Sequence, residues 1–407
     1  MRTTRILLCL IITIPPVFTA LAQGSITLSG IVKSESSNKV LPSVTIYLDG
    51  YDYGTVTNTK GEFDIKFPGE YANASLVISS LGYTPERITV SAFENGGVIF
   101  LRDKEIILEE IVVQSAEDII RQALQNIALN YPMEYEALTA FYREKVQRNR
   151  NYVDISQGIL DVLKQPYLRA GDDQVKIQKG FRSKDYAPQD TLVFKLVGGP
   201  NIMLMLDVVK SPGMVLAEDL LSSYRYETTD VTMRDGSINY EISFEPKSAE
   251  LSHLYTGKIY VQNKSYAITE IQFGYNPKTV ETSASYLVRN KPMLAKVTPK
   301  NVTYHVKYRE LNGKWYLYYV KNELEMKVNW KKKLFNSTFN STSEMVVTKR
   351  TDSPIKSFDR ADRMQQYLAF TEVAPKYYDQ SFWEEYNIIK PEDDFLQALN
   401  KINAKKD

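Results

Sequence analysis

Cysteine occurs once, at Cys9, and histidine twice, at His253 and His305, in a chain of 407 residues. One thiol excludes a disulfide framework within the chain. A zinc hydrolase needs three protein ligands and an open position, and neither histidine stands in an H-x-x-E or H-E-x-x-H arrangement, so a metallocarboxypeptidase has no ligand set here. A G-x-S-x-G nucleophile elbow and a glycine-rich phosphate loop are both missing. Charge of one sign is missing too: 50 basic against 49 acidic side chains leave +1, which argues against nucleic acid as the main partner. Beyond residue 23 no apolar run approaches the roughly 20 residues that span a bilayer as a helix. The expectation is a chain with no cofactor, no metal and no catalytic site. One chemistry stays open as an alternative, a hydrolase using a carboxylate pair, because sequence spacing does not show which acids face each other.

What the chain does contain begins with residues 1–23, which have the three parts of a secretory signal. Arg2 and Arg5 make a positive start, Ile6 to Phe18 an apolar core interrupted by Pro15-Pro16, and Ala20-Leu21-Ala22 a small-residue cleavage pattern. Cleavage after Ala22 would remove Cys9 and leave an exported protein without thiol chemistry. A lipid attached at Cys9 is disfavoured, since Ile6-Leu7-Leu8 lacks the small residue such a site wants. Tyrosine is abundant, at 28 residues, which in an exported β-protein suits half-buried strand faces, with sugar stacking as the other use.

The best-defined stretch runs from Gly54 through Thr57-Asn58-Thr59-Lys60 to Gly61-Glu62-Phe63, flanked by Val44 to Leu48 and Phe63 to Phe67. Glycine at both ends of a polar segment between alternating runs reads as a hairpin. Gly69, Gly82 and Gly96-Gly97 repeat the punctuation, so several short strands in a small antiparallel sandwich are expected. Gly30-Ile31-Val32, Leu41-Pro42-Ser43-Val44, Gly54 to Phe63 and Leu81-Gly82-Tyr83 together resemble the carboxypeptidase-like regulatory domain common in envelope proteins of Bacteroidota. The resemblance implies a transthyretin-like (prealbumin-like) sandwich over residues 24–113, with Gly54, Gly61, Phe63, Gly82 and Tyr83 as its structural residues. Asn58 replaces the aspartate usual in that pattern, a change a turn tolerates.

Leu108 to Val113 reads as a closing strand, and is similar to the segment that follows this domain in TonB-dependent receptors, where it can act as an energy-coupling box. Ser115 with Asp118 three residues on then caps a linking helix over 114–132, stopped at Tyr131-Pro132.

From residue 133 to 355 strands dominate. Ile238 to Phe244, Val302 to Arg309 and Glu323 to Trp330 alternate cleanly, which predicts antiparallel strands with one face in a core and the other wetter. On that reading His305, beside Lys307 and Arg309, belongs to the surface, as does Lys331-Lys332-Lys333 at a hairpin tip. Gly257 to Val261 followed by Tyr266 to Ile271 is similar to a hairpin of lipoprotein carriers of the LolA type, in which a curved sheet wraps apolar helices.

An apolar insertion over 196–221 either plugs such a sheet as core, the more economical reading, or lines a cavity for an apolar ligand. In the second case Met203, Met205 and Met214 are its candidate contacts. The tail over 356–407 reads as helical, with short helices at Phe382 to Asn387 and, after Pro391, through Phe395, Leu396, Leu399 and Ile402.

The chain thus reads as mainly β, an N-terminal sandwich followed by a larger curved antiparallel sheet with a few helices. The expected role is non-enzymatic binding in the periplasm or at the outer membrane, with a protein, a glycan or a lipid as partner. An adaptor for TonB-dependent uptake is the first alternative, and the hydrolase using a carboxylate pair is the second, from another class.

Overall fold

The computed structural model describes residues 24–103, 114–184, 199–251, 253–283, 295–330, 336–379, 386–393 and 395–397. The expected signal, the segment from Leu108 to Val113, Lys331-Lys332-Lys333, Phe382 to Glu385 and everything after residue 397 lie outside them.

The chain is mainly β. Its first seven strands are β1 (Ser25–Ser34), β2 (Thr45–Leu48), β3 (Gly54–Val56), β4 (Glu62–Pro68), β5 (Ser75–Ser79), β6 (Glu86–Thr89) and β7 (Val98–Leu101). They form two sheets, β4-β1-β7 and β3-β2-β5-β6, and only β1 with β7 is a parallel pair. Period-two alternation in β4 turns Phe63, Ile65 and Phe67 inward, where they meet Val32, Ile46, Leu48 and Ile78 of a common core.

The expected hairpin is corrected here. β3 pairs with β2 and β4 with β1, so the turn between β3 and β4 crosses from one sheet to the other. The turn itself closes locally, Gly61 N–H donating to Asn58 O at 3.0 Å with Gly61 at φ +75°. Phe63 fills the space that Gly30 leaves, since a Cβ there would stand 2.9 Å from its ring. Gly82, at φ +81°, turns the chain so that its N–H reaches Met233 O, and Tyr83 bridges to Asp103.

Ten further strands form one open antiparallel sheet. They are β8 (Glu136–Arg148), β9 (Asn151–Lys164), β10 (Gln174–Lys184), β11 (Tyr224–Arg234), β12 (Ser237–Pro246), β13 (Thr256–Gln262), β14 (Ile268–Gly274), β15 (Ala295–Leu311), β16 (Lys314–Trp330) and β17 (Ser337–Asp352). The order is β10-β9-β8-β17-β16-β15-β14-β13-β12-β11, so the last strand lies against the first. On the inner face, Tyr142, Leu160, Ile242, Val306 and Val320 pack against helices α1 (Ala116–Gln125), α2 (Ile127–Asn130) and α3 (Pro200–Met205). Ser115 Oγ accepts from Asp118 N–H at the start of α1, the cap its spacing predicts.

The described part of the apolar insertion belongs to this core: Leu204, Leu206, Val208, Val209, Val215, Leu216 and Leu221 are all buried in it. A buried ion cluster pins it. Lys164 Nζ lies 2.9 Å from Asp173 and 2.8 Å from Asp207, and Tyr308 donates its hydroxyl to Asp207 at 2.6 Å.

The sandwich docks on the outer face. Val56 of β3 meets Phe141, Ile159, Tyr318, Tyr319, Val346 and Ile389. Tyr318 donates its hydroxyl to Thr55 O at 2.7 Å, and a Cβ on Gly54 would lie 2.5 Å from that oxygen, so Gly54 serves close approach and not a left-handed turn. The face expected to be wet is therefore covered: Lys307 Nζ donates to Ser43 O at 2.7 Å, and the Arg309 guanidinium lies 4.4 Å from the centre of the Tyr47 ring. In the tail, short helical turns run over Phe370–Val373 and Ala374–Tyr377; Tyr386 to Glu392 carry no helix and lie against the sandwich, and among the described residues helix resumes at Asp393.

Candidate functional site

An open groove of about 460 Å³ runs over the outer face of β13 to β16. Alternation along each strand and the register between them set two straight rows across its floor. The first row is Lys258, Gln272, His305 and Lys321, each opposite the next. The second is Thr256, Gly274, Thr303 and Glu323. Gly274 contributes no side chain to its row, while Gly257, Phe273, Tyr275, Pro277, Asn301 and Tyr304 complete the lining.

His305 is 22% exposed and corrects its reading as a surface residue: its Nε2 meets Glu270 Oε1 at 2.6 Å, and Glu270 is only 2% exposed. Glu270 is held from other sides by Arg234 Nη1 at 3.1 Å and by the Gln272 amide at 2.8 Å. Burial alone would raise the Glu270 pKa, but Lys307, His305 and Arg234 hold it well below the usual carboxylate range. Burial lowers that of His305, aided by Lys307 and Arg234 against the opposing pull of Glu270. Neutral His305 then donates through Nε2–H, which leaves Nδ1 as a hydrogen-bond acceptor.

Charge in the groove is balanced. Lys258 pairs with Glu241 at 2.5 Å and Lys321 with Glu323 at 2.8 Å. What remains is an array of hydroxyl, amide and imidazole groups, Thr256, Thr303, Asn301, Gln272 and His305, that both donate and accept.

Of the three methionines, Met203 is 1% exposed within the core, Met205 is 45% exposed, and Met214 is half-buried at the core's edge. They do not gather around a common space. Two pairs of carboxylates come near each other on the inner face: Asp173 and Asp207, both neutralised by Lys164, and Glu144 of β8 with Asp154 of β9. Burial pushes Glu144 up to about 7, opposed by the Tyr142 hydroxyl at 2.5 Å and aided by Asp154. Asp154 is paired with Arg182 at 2.6 Å. Glu144 is covered by Gly199, where a Cβ would stand 3.5 Å from its Oε1, and it opens on no described cleft. His253 is exposed, and no cluster of three or more metal-ligating side chains occurs among the described residues.

Glu270, Gln272, Thr303 and Lys321 carry no motif and were not singled out by sequence. Their alternation was visible, but the register that lines them up is set by pairing across distant strands.

The sandwich strands match the model of a carboxypeptidase-like domain from residue 28 to residue 113. Residues 28–113 are a CarboxypepD_reg-like domain. The model of a family of unknown function, DUF5686, matches residues 207–325, and those residues include the whole floor of the groove. No curated protein matches the chain significantly.

Several solved structures are similar at low scores. A DUF1329 family protein from Desulfovibrio piger is 10% identical, with a TM-score of 0.27 over 61% of this chain and 99% of that one. A putative outer membrane lipoprotein-sorting protein domain from Vibrio parahaemolyticus is 12% identical, with a TM-score of 0.25 over 61% and 97%. Lipovitellin is 8% identical, with a TM-score of 0.27 over 59% of this chain and 27% of its own. At such scores the likeness decides nothing about a ligand. No helix among the described residues is long and apolar enough to cross a membrane.

Proposed function

We propose that the protein is a non-enzymatic binding protein of the cell envelope, and that its ligand is a neutral glycan held in the groove over β13 to β16. The observation that carries this reading is the composition of the floor: paired charges, with the hydroxyls of Thr256 and Thr303, the Asn301 amide and the acceptors His305 Nδ1 and Gln272 Oε1 facing a ligand. A sugar presents hydroxyls that both donate and accept, and it needs no net charge from its site.

The envelope assignment rests on the secretory pattern of residues 1–23. An apolar ligand would have to displace an insertion anchored by Lys164 and Asp207, which costs the pairing of a buried charge. The TonB-dependent adaptor would use Leu108 to Val113, outside the described residues, and the hydrolase would need the covered Glu144 to meet substrate.

Native mass spectrometry of the protein taken gently from its own envelope, with organic extraction, tests the choice. A carbohydrate adduct, or none, with an empty lipid extract is the expected result. A stoichiometric lipid or acyl chain would contradict it and return attention to Met203, Met205 and Met214.

A further inference from the structure

The turn between β3 and β4 does more than join two sheets. Its side chains grip residues 387–392 of the chain's own tail. Thr55 donates its hydroxyl to Ile388 O at 3.0 Å, Asn58 donates its amide to Lys390 O at 3.2 Å, and Thr59 donates to Glu392 Oε1 at 2.9 Å. Beyond the turn, β4 is an edge strand, paired only with β1. Asn387 caps that edge with its side chain: its Oδ1 accepts from Lys66 N–H at 2.6 Å and its Nδ2 donates to Lys66 O at 2.8 Å. Lys390 adds an ion pair to Asp64 at 2.9 Å, while Ile389 is fully buried beside Val56.

Asn58 supplies a second, independent observation. Its Oδ1 accepts from the N–H groups of Lys60 and Glu62, both at 2.9 Å, the turn-forming work that an aspartate would do equally. Only an amide also presents a donor, and Asn58 Nδ2 uses it twice, to Glu62 Oε2 at 2.9 Å within the turn and to Lys390 O at 3.2 Å in the tail, so it ties the one to the other.

We propose that the β3–β4 turn and the β4 edge form a peptide-binding clamp on the sandwich, and that its occupant in this protein is the chain's own Asn-Ile-Ile-Lys-Pro-Glu segment, residues 387–392. Recognition combines an asparagine side chain that satisfies both backbone groups of Lys66 at the sheet edge with a small apolar pocket and one ion pair. The clamp is independent of the groove, which lies on other strands.

The test uses the full chain with a protease recognition sequence inserted after Asp379, cleaved once the protein has folded. The cut tail is expected to co-elute with the body at micromolar concentration and to exchange with a labelled synthetic peptide of residues 386–397. A peptide carrying Asn387→Ala, which loses both bonds to Lys66, should bind about tenfold more weakly or worse, since two hydrogen bonds of ordinary strength are lost. Asn58→Asp in the body should weaken the peptide by several-fold while leaving the circular dichroism of the body unchanged. A tail that cannot be exchanged, a body that unfolds on cleavage, or a variant peptide that binds as well as the parent would overturn the clamp and make the tail an ordinary part of the core.

Discussion

Asp207 and Glu144 are both buried carboxylates on the inner side of the large sheet, and their partners give them opposite effects on stability. Asp207 answers Lys164 and accepts from Tyr308. Replacing it with alanine leaves Lys164 with Asp173 alone and removes the anchor of the insertion, so Asp207→Ala should cost about 3 kcal/mol, read as a lowered urea midpoint. Glu144 has no cation of its own, and burial lifts it from an ordinary value of 4.5 to about 7. The folded chain therefore binds more protons than the unfolded one between those values, and stability falls as pH rises through that window. Glu144→Gln keeps an acceptor for Tyr142 and removes the ionisation. It should match the parent near pH 4 and exceed it above pH 7 by on the order of 2 kcal/mol, measured as melting temperature against pH. A variant equally stable at both ends would show that Glu144 is not the group that titrates. Neither role was legible in the sequence, where Asp207 is a single acid in an apolar run and Glu144 stands between Arg143 and Lys145 as a surface residue would.

At the scale of elements, the strands with clean alternation, β12, β15 and β16, appear where the periodicity puts them, because one face of each lies in a core. The passage from β3 to β4 was misread for a physical reason. Two alternating runs joined by a glycine-bounded turn look alike whether the strands pair with each other or with partners in facing sheets. Gly54 carried the same ambiguity: turn and close approach both call for glycine. If close approach to Tyr318 is its role, Gly54→Ala should loosen the docked sandwich, lowering the melting temperature by several degrees and opening the residues before β8 to protease. Combining it with Tyr318→Phe, which removes the oxygen a new Cβ would strike, should cost less than the two single losses added together. Strict additivity would contradict the contact.

Across the whole molecule, the large sheet buries both of its faces, one on the apolar insertion and one under a charged sandwich interface. Lys307 and Arg309, which alternation assigned to solvent, are covered because a second domain lies over them. No local pattern announces that, just as none announces that four strands will align His305 with Lys258, Gln272 and Lys321 in one row. The groove occupies a part of the outer face that the sandwich leaves free, and its chemistry carries the functional account.

A neutral-oligosaccharide microarray probed with the labelled protein, and in parallel with Thr303→Trp to fill the groove, tests that account most directly. The account predicts selective binding that persists in high salt, because no net charge is used, and that is lost in the filled variant while the circular dichroism is unchanged. Binding that survives Thr303→Trp, or a folded parent that retains no oligosaccharide, would contradict it.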